Sequence, residues 1–269
     1  MVIRKIKKEI ENILGLHDAQ LLITAVLNIS YTDYLLKDSL ELPQNEADKL
    51  INLANRIKGG EPLQYVVGMT EFMSLKFHVT PDVLIPRQDT EILVETACEY
   101  IKDKKLNVLD IGTGSGCVAI SIARYCSKCA VTTVDISKAA LKVAKRNAEE
   151  NGVNVEFINC DILKEYPERK FDIIVSNPPY IPTKDIYGLD TTVKDYEPFT
   201  ALDGGDDGLD FYRRIINIAP LILNKNGALM FEVGHDQADS VASLCQKDFK
   251  NIRKIKDLCS IERVVTAEY

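Results

Sequence analysis

Residues 108–125 read VLDIGTGSGCVAISIARY, and this stretch decides the fold of the 269-residue chain. An apolar strand ends at Ile111, the loop GTGSG follows, and an apolar helical stretch begins at Cys117. Glycine lets the backbone turn sharply and approach a ligand, and the first amides of a helix point toward that ligand. The stretch therefore predicts a strand, a helix and between them a cofactor-binding glycine loop, made of Gly112, Thr113, Gly114, Ser115 and Gly116.

The chain around this loop alternates strand-like and helix-like stretches. The strand-like pieces are LNVLDIG, CAVTTVDI, VEFINCDI, FDIIVSN and GALMFEVG, and helical periodicity separates most of them. This order predicts an α/β fold, a doubly wound and mostly parallel sheet of Rossmann-like type, which we assign to residues 84–269. LQYVVG and LKFHVT read as short strands of a β-hairpin linker over residues 61–83. Residues 1–60 read as a small helical domain, because apolar residues repeat at helical spacing: Ile3, Ile6, Ile10, Ile13 and Leu14.

Composition excludes several classes of protein. With 46% hydrophobic and 27% charged residues, the chain is neither disordered nor fibrous, and it has no apolar run of about 18 residues that could cross a membrane. Its start lacks the solid apolar stretch of a secretory leader, so we expect a cytoplasmic protein. We also expect a monomer. The seven cysteines are odd in number and irregularly spaced, which predicts reduced thiols. Cys126 and Cys129 lack a second ligand pair, so no metal site is expected.

The glycine loop narrows the cofactor to two candidates. Asp135 ends the next strand, where a carboxylate accepts hydrogen bonds from the ribose hydroxyls of an adenosine, and both NAD and S-adenosylmethionine fit that arrangement. The acid Asp110 before the loop, and Cys117 where a dinucleotide motif needs a third glycine, favour S-adenosylmethionine. Asp161 and Ile162 follow the third strand, where an adenine edge would lie. Asp161 reads equally well as a helix N-cap.

The tetrapeptide NPPY, from Asn177 to Tyr180, directly follows an apolar strand. The carboxyl ends of parallel strands meet at one edge of the sheet, so this NPPY segment is expected beside the glycine loop. An amide or exocyclic amine nitrogen is a poor nucleophile, and acceptors around its NH2 group orient its lone pair. The side chain of Asn177 and the carbonyl of Pro178 supply such acceptors, two prolines including Pro179 stiffen the backbone, and Tyr180 can stack on the planar group. The sequence therefore predicts a methyl transfer to nitrogen, with Asn177 and Tyr180 as catalytic residues.

These residues resemble the HemK-type release factor glutamine methyltransferases. The resemblance spans about three quarters of the chain and rests on these motifs: GEPLQYVVG, VLIPRQDTEILVE, VLDIGTGSG, VDIS, IVSNPPYI, YEPFTALDGGDDGL, FEVGHDQ and ERVV. NPPY alone is shared with enzymes that methylate adenine or guanine, whereas the others in this order are more specific to the family.

The resemblance implies a class I S-adenosylmethionine methyltransferase that releases S-adenosylhomocysteine. It implies methylation of the side-chain nitrogen N5 of the GGQ-loop glutamine in class I peptide chain release factors, the proteins of translation termination. Cofactor contacts are implied from the glycine loop, Asp135, Ile162 and Asn177, with the glutamine amide held by residues 177–180. The helical N-terminal region is expected to help grip the release factor.

Two other functions use the same residues. A nucleic-acid amino-methyltransferase, acting on adenine N6 or guanine N2, would hold a flipped base with NPPY. The net charge of −7 makes direct nucleic-acid binding unfavourable, because the chain as a whole repels polyanions. A non-catalytic cofactor-binding protein is less favoured, since Asn177 and the loop glycines are intact.

Overall fold

The structure, a computed structural model, describes residues 2–269 of the chain. Two compact units are present. The first runs through Met69 and includes Asp190–Tyr196, and the second comprises Thr70–Leu189 and Glu197–Tyr269. How function divides among residues 1–60, 61–83 and 84–269 stays a prediction.

The first unit is helical, as the sequence predicts. Isoleucines at positions 3, 6 and 10 are fully buried, whereas Ile13 and Leu14 are only partly buried. They pack with apolar residues of the second and fourth helices, including Leu22 and Leu50. The helices from the N-terminus are α1 (Ile3–Leu14), α2 (Leu16–Leu27), α3 (Tyr31–Leu36), α4 (Gln44–Lys58) and α5 (Leu63–Val67).

The prediction that LQYVVG forms a strand is wrong, because these residues form the short helix α5. Pro62 precedes the helix and suits its start, and Gly68 ends it with φ of +79°, a conformation that other residues rarely adopt. Val66 and Val67 pack against the apolar core of the helical unit. A stretch of five residues with β-branched side chains fits either periodicity, so the flanking proline and glycine decide the outcome.

The strands and remaining helices complete the chain. The strands are β1 (Met69–Phe72), β2 (Leu75–His78), β3 (Asn107–Ile111), β4 (Ala130–Asp135), β5 (Glu156–Asn159), β6 (Phe171–Ser176), β7 (Leu223–Glu232), β8 (Lys250–Lys256) and β9 (Glu262–Glu268). The helices are α6 (Glu91–Ile101), α7 (Cys117–Tyr125), α8 (Lys138–Glu150), α9 (Thr183–Ile186), α10 (Thr191–Lys194), α11 (Phe199–Leu202), α12 (Asp210–Ile222) and α13 (Ala238–Cys245), and Gln88–Thr90 forms a 3₁₀ turn before α6.

Seven strands form one mostly parallel sheet, which confirms the predicted fold class. The order is β5-β4-β3-β6-β7-β9-β8, in which β5 to β7 are parallel and β8 and β9 are antiparallel. β1 and β2 form a separate two-stranded sheet.

Apolar side chains of the sheet alternate between its two faces. Leu109 belongs to one buried cluster with residues of α12 and α13, whereas its neighbour Val108 belongs to another with residues of α6 and α7. The sheet is therefore covered on both faces, as a doubly wound fold requires. Within residues 2–269, no helix is both long and apolar enough to cross a bilayer.

Candidate active site

The glycine loop and the NPPY segment leave the sheet side by side. The strand order reverses between β3 and β6, whose last residues Ile111 and Ser176 are paired, and the Ser176 hydroxyl donates to the Ile111 carbonyl at 2.7 Å. A Cβ atom on Gly112 would lie 3.6 Å from the carbonyl oxygen of Asn177. In open α/β sheets ligands bind at such a switch point, so the two segments form one candidate site.

The backbone of the glycine loop adopts conformations that suit glycine. Gly112, Gly114 and Gly116 all have positive φ. A Cβ atom at Gly114 would meet nothing within 4 Å, so this part of the loop lies open to a ligand. At Gly116 it would lie 2.7 Å from the Ile120 side chain, so this glycine permits close packing of α7 and does not line the site.

Asp135 connects the end of β4 to the glycine loop. One carboxylate oxygen accepts from the Gly114 amide at 2.9 Å and the other accepts from the Ser137 amide at 2.8 Å. Burial raises the pKa of this carboxyl, and the two backbone hydrogen bonds oppose the rise. Each carboxylate oxygen keeps further acceptor capacity, which suits it to bind hydroxyl groups.

Asp110 is buried directly before the loop. Its Oδ2 accepts from the Thr133 hydroxyl at 2.7 Å, and its Oδ1 has no hydrogen-bond partner among the described residues. Burial raises the pKa of Asp110 to about 7 despite the hydrogen bond from Thr133. The Thr133 hydroxyl also lies 2.7 Å from the hydroxyl of Thr113 in the glycine loop. Asp110 is therefore connected to the loop through Thr133.

A cavity of about 430 Å³ within the second unit gathers most of the predicted site residues, and its size falls in the range of small-molecule sites. Gly116 and Tyr180 are not part of its wall, and Tyr180 packs instead against the buried apolar cluster beside α12. Ile136, Leu163 and Phe199, which the sequence analysis did not name, do line the cavity. The predicted residues that line it are Gly112, Thr113, Gly114, Ser115, Asp135, Asp161, Ile162, Asn177, Pro178 and Pro179.

Asp161 lines the cavity, and its predicted contact with an adenine stays a prediction. The alternative prediction of a helix N-cap is wrong, because only a turn follows, in which its Oδ1 accepts from the Leu163 amide at 3.1 Å. The ammonium of Lys164, 2.7 Å away, lowers the pKa of this carboxyl. Ile162 is buried in the wall beside it.

The side chain of Asn177 binds Thr90, and Glu232 is buried close by; sequence reasoning missed both residues. Asn177 Nδ2 donates to the hydroxyl of Thr90 at 3.1 Å. Burial raises the pKa of the nearby Glu232 carboxyl to about 7, and the polar side chains of Thr90 and Asn177 oppose this rise. The strings DTE and FEVG contain both residues, but nothing in either string indicates that they meet at Asn177.

The buried carboxyls give the stability a specific pH dependence. Asp110 and Glu232 have folded-state pKa values of about 7, above the roughly 4 of an unfolded carboxyl. Their contribution to stability is therefore complete below about pH 4 and is lost as the pH rises through 7. We expect the free energy of unfolding to fall between pH 5 and 7 by up to about 1.4 kcal/mol per pH unit for each group.

Urea denaturation of the ligand-free protein at pH 5.5, 6.5 and 7.5 measures this slope. Asp110→Asn removes one titrating group, so its slope should be smaller than that of the wild type. Equal slopes for the two proteins would contradict the assignment to Asp110.

The site fits S-adenosylmethionine. The open backbone at Gly114 leaves room for a ligand to lie against the loop, and Asp135 offers acceptors to a ribose. Ile136 and Ile162 supply apolar surface in the same wall, where a flat adenine can pack. These residues would hold the adenosine part of the cofactor.

Comparisons with known proteins first define the class. Residues 88–191 match the methyltransferase small domain, and residues 13–68 match the PrmC N-terminal domain. A solved methyltransferase from Pyrococcus furiosus is 19% identical, with a TM-score of 0.55 over 84% of this chain and 98% of that one, and shares the fold. Fold and site therefore define a methyltransferase, which confirms the predicted class.

Sequence relatives then define the family. A release factor glutamine methyltransferase from Clostridium acetobutylicum is 40% identical over 97% of this chain and 93% of its own length. One from Geobacter sulfurreducens is 41% identical over 93% of this chain and 90% of its own length. The chain belongs to the release factor glutamine methyltransferase family, as its motifs predicted.

Proposed function

We propose that this protein transfers a methyl group from S-adenosylmethionine to the side-chain nitrogen N5 of a glutamine in a class I peptide chain release factor. The observation that carries this proposal is the position of Asn177. Its amide nitrogen is engaged by Thr90, it borders the cavity, and it lies next to Gly112 of the glycine loop. The oxygen of its side chain is thereby available as an acceptor for a substrate NH2 group.

The cofactor is assigned to the glycine loop and the ends of β4 and β5. S-adenosylmethionine supplies an electrophilic methyl group on a sulfonium when bound. Residues 112–115 would border its amino-acid part, Asp135 would accept from the ribose, and Asp161 and Ile162 would border the adenine. Asn177 lies where the cofactor and substrate parts of the cavity meet.

The chain's own contribution to the chemistry is positioning. The nitrogen of an amide is planar and weakly nucleophilic because its lone pair is delocalised. Asn177 Oδ1 and the Pro178 carbonyl accept its two hydrogens, which fixes the direction of the lone pair, and Pro179 keeps this backbone stiff. Once alkylated, the nitrogen is strongly acidic and gives its proton to water, so no side-chain base is required. We also propose that Tyr180 stacks on the planar amide group of the substrate.

The helical unit is proposed to bind the release factor. Several of its large apolar side chains are exposed, among them Leu16 and Leu36, which are 67% and 77% exposed. Such side chains suit a protein partner, and the net charge of −7 opposes a nucleic-acid partner. We further propose that the protein acts in the cytoplasm, as a monomer.

A transfer assay tests the proposed function. The full-length protein is mixed with S-adenosylmethionine labelled in its methyl group and with a class I release factor, and we expect label in the factor. The matched substrate is the same factor with its loop glutamine replaced by alanine, which should stay unlabelled. DNA and RNA are offered in parallel reactions.

The outcomes separate the candidate functions. Label in DNA or RNA would favour the base-methylating alternative, and label in the factor without its glutamine would place the reaction on another residue. Cofactor binding by calorimetry with no labelled product from any substrate would favour a non-catalytic cofactor-binding protein.

A further inference from the structure

A buried asparagine interrupts the apolar inner face of α8. The other buried side chains of this helix are alanines and a leucine, whereas Asn147 is polar and fully buried. A buried carboxamide is unfavourable unless its oxygen and its NH2 group are hydrogen-bonded. The partners of Asn147 therefore indicate what this residue does that an alanine or a leucine would not.

Three backbone groups bind the carboxamide of Asn147. Its Oδ1 accepts from the His78 amide at 2.7 Å, and its Nδ2 donates to the His78 carbonyl at 3.0 Å and to the Ser115 carbonyl at 2.8 Å. A backbone amide can only donate, so the bond from His78 fixes which end of the carboxamide carries the NH2 group. Asn147 therefore connects its own helix both to β2 and to the glycine loop.

The bond to Ser115 holds one peptide group of the glycine loop at both ends. The carbonyl of this peptide group, that of Ser115, accepts from Asn147, and its N–H, that of Gly116, donates to the Thr113 carbonyl at 2.7 Å. The Ser115 amide itself has no acceptor within residues 2–269, and Ser115 lines the cavity. This amide is therefore available to a ligand, directly beside a peptide group that is held in place.

We propose that Asn147 is a positioning residue for the cofactor, which fixes the Ser115 carbonyl and so keeps the Ser115 amide ready to bind the amino-acid part of S-adenosylmethionine. This inference rests on the cofactor of the proposed function and not on its substrate. An amide donor that is held in place binds a carboxylate without the entropy cost of ordering the loop. The helix supports the same part of the loop, because a Cβ atom at Gly116 would lie 3.0 Å from the Cβ atom of Ala144.

Asn151, one helical turn beyond Asn147, provides a matched control. Its Nδ2 donates to the Lys76 carbonyl of β2 and to the Asn147 carbonyl, both at 2.9 Å. It thus connects the end of the same helix to the same strand, but neither hydrogen bond reaches the glycine loop. A purely structural connection between α8 and β2 would give both asparagines the same role, whereas a role in cofactor binding belongs to Asn147 alone.

Substitutions at the two asparagines separate these roles. Asn147→Ala and Asn147→Leu both remove all three hydrogen bonds, and leucine fills the space that alanine leaves empty. We expect the Kd for S-adenosylmethionine to rise by about tenfold in both variants, because the Ser115 peptide is no longer held. In Asn151→Ala the Kd should stay within about twofold of the wild type. Calorimetry well below the melting temperature of each protein gives these values.

Two outcomes of the calorimetry would overturn the proposal. One is wild-type affinity in a folded Asn147 variant, which would mean that the cofactor does not depend on the held peptide. The other is an equal rise of the Kd in Asn151→Ala, which would mean that the connection between α8 and β2 is what matters.

Hydrogen exchange in the ligand-free protein tests the same contact without cofactor or substrate. The Gly116 amide should exchange about tenfold faster in both Asn147 variants than in the wild type, and Asn151→Ala should leave its exchange unchanged. Equal exchange in all four proteins would overturn the inference. A wild type that binds S-adenosylmethionine but leaves the release factor unlabelled would reject the proposed function alone, because the comparison of Kd values does not involve the substrate.

Discussion

Asn177→Ala is expected to reduce methyl transfer to the release factor by about 10²- to 10³-fold, because it removes an acceptor placed for the reacting amide. The carbonyl of Pro178 remains, but a single acceptor does not fix the orientation of the planar amide. Cofactor affinity should change little, since the glycine loop and Asp135 are untouched. Single-turnover labelling gives the rate, and calorimetry with S-adenosylmethionine gives the affinity.

The matched control is Asn224→Ala. Asn224 also donates its Nδ2 to a polar side chain, Asp172, at 2.7 Å, but it lies at the start of β7 and outside the cavity wall. Turnover of this variant should stay near that of the wild type. Normal turnover by Asn177→Ala would eliminate the mechanism proposed for the NPPY segment.

The glycine loop and Asn177 could be predicted together because their relation follows from a general property of parallel sheets. Each lies directly after a strand with a continuous apolar pattern, and neighbouring parallel strands end at the same edge. Gly112 and Asn177 are accordingly adjacent, although neither local sequence refers to the other. The local sequence pattern and the rules of sheet topology were sufficient to predict that these two segments lie side by side.

The hydrogen-bond partner of Asn177 could not be predicted in the same way. Thr90 lies 87 positions earlier in the chain, in a 3₁₀ turn with no strand periodicity. A hydrogen bond between such residues depends on side-chain direction, which an apolar pattern does not encode. Tyr180 is a similar case, because its packing away from the cavity depends on distant elements.

The largest structural effect is expected at Gly208, which supports the NPPY backbone from outside the motif. The Gln237 side chain donates to the Tyr180 carbonyl at 2.8 Å and to the Gly208 carbonyl at 3.3 Å. A Cβ atom at Gly208 would lie 2.3 Å from the Tyr180 carbonyl oxygen and 2.7 Å from Gln237 Nε2. Gly208→Ala must therefore displace the end of the NPPY segment, and a shift of about 1 Å costs about 10²-fold in rate.

Gly152→Ala is a control with the same backbone cost. Gly152 has φ of +65° and Gly208 has φ of +76°, so alanine is strained at both positions by about 1 kcal/mol. At Gly152, however, a Cβ atom would meet nothing within 4 Å, and the residue lies beyond α8 and outside the cavity wall. We expect both variants to lower the melting temperature and Gly208→Ala alone to lower kcat. Equal turnover of the two variants would mean that the contact between Gly208 and Tyr180 does not position the NPPY segment.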